Sequence, residues 1–119
     1  MQPPDDDVAG QLFARAADDI ALVRASLDVD AIADTIVGFH AQQAAEKLLK
    51  AVLAHSRIEF PFTHDLERLV ELVEASSVGG PPDSDEVAAL TPWAVEFRYG
   101  EAPEEILGRL RAWAQASLD

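Results

Sequence analysis

At 119 residues the chain is long enough for one domain with one core and no staples. It contains no cysteine, which excludes disulfides and thiolate metal sites and suits a reducing cytosol. Nine basic against 22 acidic residues leave a net charge of -13, which repels bulk nucleic acid and anionic membranes and leaves no broad cationic patch.

The chain opens on Met1-Gln2-Pro3-Pro4-Asp5-Asp6-Asp7, acidic and turn-prone. Residues 1–6 read as a flexible lead-in, the reverse of the basic, apolar start of a secretion signal. Residues 7–119 then read as one helical unit. Val8, Leu12, Ala16, Ile20, Val23 and Leu27 recur at threes and fours, predicting an amphipathic helix over roughly 7–27. Asp18, Asp19 and Arg24 are assigned to its outer face.

A second helix is predicted from about Asp30 to about His55. Its centre, Phe39 to Lys50, has no Gly, Pro or β-branched residue, so helix propensity is high throughout. Apolar and alanine positions run almost all the way round its wheel, as in the central rod of a bundle. Gly38 inside it reads as a point of close helix approach. Pro61 ends the pattern and makes Phe60 extended.

Thr63 is the expected N-cap of a third helix, with His64, Asp65 and Glu67 in its first turn. That helix stops near Ala75, before the loop Ser76 to Pro82. Asp83 or Ser84 caps a fourth helix carrying Val87, Leu90, Val95 and Phe97, which Pro92 kinks or splits and Gly100 ends. Pro103 starts the last helix, with Ile106, Leu107, Leu110, Trp113 and Ala114 on one face. No stretch alternates with period two, and no apolar run nears the ~20 residues of a membrane span. The expected fold is all-α, an up-and-down antiparallel bundle of four to five helices.

Three groups of residues invite chemistry. Arg57 and His64 flank a proline-stiffened loop with six residues between them. A cation that steadies a phosphate beside an imidazole that moves a proton is a minimal kit for cutting RNA without metal. The same two residues also read as a helix-end cation and a packed first-turn histidine. His40, Gln43 and Lys47 share one arc of the second helix, a polar line that fits either a nucleotide or partner groove or a set of interhelical contacts. Glu46 and Lys50, four apart, read as ordinary helix support. Arg98 and Tyr99 at the end of the fourth helix fit either a phosphate and base contact or a tie to Glu71 or Glu74. The three histidines lack metal-ligand spacing, and no phosphate loop or dinucleotide fingerprint is present. No metal or cofactor is expected.

The stretch Phe39-His40-Ala41-Gln42-Gln43-Ala44-Ala45-Glu46-Lys47-Leu48-Leu49-Lys50-Ala51, followed by Thr63-His64-Asp65-Leu66 and by Leu90 to Tyr99, resembles the HEPN family, the "higher eukaryotes and prokaryotes nucleotide-binding" domain. The resemblance covers nearly the whole chain and implies an up-and-down helical bundle, commonly a homodimer. It implies a nucleotide-binding or regulatory role, often in a toxin–antitoxin-like two-gene unit with a small nucleotidyltransferase as partner. Some relatives of that kind are metal-independent ribonucleases, whose motif is an Arg followed by a His after four to six residues. Arg57 and His64 match the long limit of that spacing, although the family's pair lies later in the bundle and no His follows Arg98 here. A helical oligomerisation domain without ligand is the plainest expectation.

Overall fold

The computed structural model describes residues 4–27, 29, 31–32, 34–90 and 103–119, with side chains from residue 8 on. Among these are five helices and no strand: α1 Pro4–Ser26, α2 Asp34–His55, α3 Leu66–Glu74, α4 Ser84–Ala88 and α5 Pro103–Leu118. The expected all-α up-and-down bundle is the fold observed.

The element bounds differ from expectation where caps decide them. The first helix starts at Pro4, within the 1–6 stretch that the sequence reads as a lead-in. A proline suits that position because its missing N–H would have no intrahelical partner anyway. The second helix starts at Asp34, not near Asp30. The fourth is only five residues long and ends before Leu90. The Pro92 kink or split, the Val95 and Phe97 core positions and the Gly100 cap lie outside the described residues.

α2 is the central rod. It packs against α1 along its length and also meets α5 and α3. Ala41, Ala44, Ala45, Leu48, Leu49, Val52 and Leu53 are all fully buried or within 1% of it. Alanines on that surface let the neighbouring helix axes come close, while the leucines fill the gaps between them. Facing them are Ala16, Ile20 and Val23 of α1, Leu69 and Val73 of α3, and Leu107, Leu110 and Ala114 of α5.

The exit from α2 sets up the loop after it. The Arg57 amide donates to the Ala54 carbonyl (3.1 Å) and the Ile58 amide reaches back to Leu53 (2.9 Å). This is the Schellman pattern, with Arg57 at the position that turns left-handed. Its φ is 59°, where glycine is usual. An L-residue there costs about 1 kcal/mol or somewhat more. Ile58 and Phe60 then pack against the core.

α3 is capped by Asp65, not by Thr63. The Asp65 carboxylate accepts from the amides of Glu67 (3.1 Å) and Arg68 (3.4 Å). The Thr63 hydroxyl accepts from the Asp65 amide one step earlier (3.0 Å). His64 therefore precedes the helix instead of sitting in its first turn. At α4, Asp83 holds the cap position with φ 55° but gives the helix no side-chain bond. Its carboxylate takes the Arg109 Nε of α5 instead (2.6 Å), and so ties the fourth helix to the last.

Candidate functional site

The polar line of α2 is bridged by an acid of α1. Asp19 Oδ1 lies 3.0 Å from His40 Nδ1, and its Oδ2 accepts from Lys47 Nζ at 2.5 Å. Asp19 is therefore not on the outer face, where its sequence pattern put it: its side chain is 12% exposed. It sits three residues after buried Ala16 and four before buried Val23, on the flank of the core stripe. Two of the three line residues are thus engaged inside the monomer. The Gln43 side chain, half-buried between them, makes no hydrogen bond to another described residue. The line is an interhelical clamp with an open amide in its middle, which is a poorer ligand groove than three free side chains would make.

A second network lies further along α2. Glu46 is 5% exposed and Lys50 8%. Lys50 Nζ donates to Glu46 Oε2 (3.0 Å), so the expected i, i+4 pair forms, and it is buried. The other carboxylate oxygen, Oε1, lies 2.8 Å from His64 Nδ1. A carboxylate accepts only, so the imidazole carries its proton on Nδ1 and presents Nε2 outward. The His64 side chain is 75% exposed. Lys50 also lies 5.8 Å from the centre of the Phe60 ring, which anchors the loop to the same network. A deep carboxylate thus fixes the tautomer and aim of an exposed imidazole, which is how ligand-contacting histidines are held.

Arg57 and His64 stand at the two ends of one short, pinned connection. The α2 cap holds one end, the Asp65 cap and the Glu46 bond hold the other, and Phe60 packs inward between them. Arg57 is exposed and lines an open hollow of about 360 Å³ with Val8, Ala54, Glu59 and Phe60. A hollow of about 430 Å³ between α3 and α4 is roomier but lined by Glu67, Glu71, Glu74 and Asp85. Its charge is wrong for any phosphate, so we place the candidate site at the α2–α3 connection instead.

Arg98 and Tyr99 lie outside the described residues. Among those described, no three His, Asp or Glu side chains gather as a metal site would require. No helix of the described residues is long and apolar enough to cross a membrane. Sequence reasoning misses Asp19, Glu46 and the fully exposed Phe62 as site residues. For the two acids a signal exists. Each lies three or four residues from core positions, which puts it beside the packed stripe and not opposite to it.

Comparison with curated proteins and with solved structures gives no match. Comparison with protein families matches residues 9–116 to the HEPN domain, and the match reaches into all five described helices and takes in both ion-pair networks and the α2–α3 connection. The helix signature around Phe39 to Ala51 and the bundle built on it thus have one account: the chain belongs to the HEPN domain family.

Proposed function

We propose that this HEPN chain is a nucleotide-binding regulatory module, working as a homodimer beside a small nucleotidyltransferase in a toxin–antitoxin-like two-gene unit. The observation that carries the binding role is the Glu46–His64 bond, which holds an exposed imidazole in one orientation. As imidazolium, His64 donates from Nε2 to a phosphate oxygen, and Arg57 at the other end of the connection adds a second cation. Family membership supports the regulatory setting.

Binding is favoured over catalysis by Lys50. Its ammonium already offsets the Glu46 charge, so the carboxylate polarises His64 less than an unshared partner would. The ribonuclease reading, with His64 as general acid/base and Arg57 on the phosphate, keeps one supporting observation, the His–carboxylate pair itself. The oligomerisation reading draws on Lys47, which Asp19 occupies.

Calorimetry on the full chain tests the proposal. Wild type is expected to bind ATP or GTP, and His64→Ala to weaken that binding at least about tenfold, the scale of one charge-assisted hydrogen bond. Arg57→Gly removes the second cation and should weaken nucleotide binding in the same measurement. No nucleotide binding by wild type sinks the reading. Metal-independent RNA cleavage that His64→Ala abolishes would replace it with the enzyme.

The homodimer has its own support. Leu22, Val29, Ile36 and Phe39 are 42–52% exposed and all lie at the α1–α2 end of the bundle. Exposed large apolar side chains on neighbouring segments support a partner-covered surface. Ile36→Glu with Phe39→Glu should convert the dimer to monomer in light scattering while leaving helicity intact. A wild-type monomer at micromolar concentration contradicts the homodimer.

A further inference from the structure

Phe62 is fully exposed, although it lies between two residues that the fold pins tightly. Its exposure does not come from a slack loop. The α2 cap fixes Arg57 and Ile58, Phe60 packs on the core and under Lys50, and Pro61 stiffens the next bond. Beyond Phe62, Glu46 holds the His64 ring and the Asp65 cap starts α3. The fold therefore keeps a bare aromatic ring in water, forgoing the burial that phenylalanine normally gains. Phe60, two residues earlier, shows what the same side chain does when it serves the core. Phe62 makes no ring contact with any described residue. An aromatic side chain has only two χ angles, so ordering it on binding costs little entropy, and exposed aromatics on a held backbone suit a contact role.

The neighbours of Phe62 suggest what it contacts. His64, two residues on, has its Cα within about 7 Å and offers Nε2 outward. Arg57 sits at the other end of the same connection. An exposed aromatic ring on the same short connection as His64 and Arg57 fits a planar base joined to phosphate. Nine basic residues against 22 acidic disfavour a long polyanion, whose capture needs many cations, and favour a small ligand. We infer that Phe62 is the base-stacking residue of the α2–α3 site, which makes that site selective for free purine nucleotides over pyrimidine nucleotides and base-free polyphosphate. The inference rests on the proposed nucleotide site, and larger bases stack better on one ring.

Calorimetry with ATP, UTP and inorganic tripolyphosphate on the full-length wild type, Phe62→Ala, Phe62→Trp and His64→Ala tests it. Wild type should bind ATP more tightly than UTP, and UTP more tightly than tripolyphosphate. Phe62→Ala should weaken ATP binding about tenfold or more, the scale of one base–aromatic stack, and leave tripolyphosphate unchanged. Phe62→Trp should retain ATP, and an exposed site makes unchanged melting temperatures the expectation for both variants. Equal ATP affinity in wild type and Phe62→Ala overturns the stacking role while the phosphate site stands. Equal wild-type affinity for ATP and tripolyphosphate overturns it as well. ATP binding that Phe62→Ala weakens but His64→Ala does not keeps the stack and overturns the phosphate site. Wild type that takes none of the three overturns both. A dimer lost in Phe62→Ala with ATP binding intact reassigns the ring to a protein contact and overturns the inference.

Discussion

Replacing Glu46 with alanine is expected to cost about 3–5 kcal/mol of stability, the usual effect of breaking a buried pair from one side. Lys50 is 8% exposed and held over the Phe60 ring, so its ammonium would be left without a counter-charge and with little access to water. For a domain of this size the melting temperature should fall by about 10–20 °C. His64 would also lose the partner that sets its tautomer. The double variant Glu46→Leu with Lys50→Met separates the two effects. Packed apolar side chains often replace a buried pair at no loss, so stability should return to within about 1 kcal/mol of wild type. Nucleotide binding should stay weak, because His64 remains untethered. A double variant as unstable as Glu46→Ala alone would show that the site needs its charges for packing. Glu46→Ala with wild-type stability would mean that Lys50 reaches solvent easily and that the pair is not a buried one in solution.

Leu49→Ala should cost about 2–5 kcal/mol. The side chain is fully buried on the helix that meets α1, α3 and α5, so collapse around the cavity would have to move several helices at once. Leu22→Ala, the same chemical change at a position 42% exposed in the single chain, should cost about 0.5 kcal/mol or less when made in the monomeric Ile36→Glu, Phe39→Glu background. Urea unfolding measures both. The midpoints should separate widely while the slopes stay equal, since neither change alters the surface exposed on unfolding. Equal costs would overturn the assignment of α2 as the central rod.

Most of the fold is legible in the sequence because it rests on local, periodic information. Alanine-rich α2 needs no tertiary help to be recognised as a helix, and its all-round apolar wheel already demands neighbours on several sides. The α3 cap falls two residues beyond the expected Thr63. Thr63 and Asp65 are both good caps, and the choice depends on where the extended Phe60–Pro61 segment delivers the chain. Asp19 reads as solvent-facing because Asp18 beside it is a surface acid, and Asp18 is indeed exposed. Adjacent helix positions differ by about 100°, which is enough for one acid to face water and the next a neighbouring helix.

The sequence determined that this chain is an all-helical HEPN bundle with α2 at its centre, since propensity, period and the signature from Phe39 to Ala51 are written in consecutive residues. It also determined a net charge of -13, which disfavours a long polyanion. Only the tertiary structure decided what the polar residues do. Spacing gives Glu46 and Lys50 as a pair but says nothing of burial, and His64 is 18 residues from the carboxylate that aims it. Asp19 lies 21 and 28 residues from the cations that it joins. Pairings at such separations depend on which faces of two helices meet, and that is fixed chiefly by the packing of the apolar core.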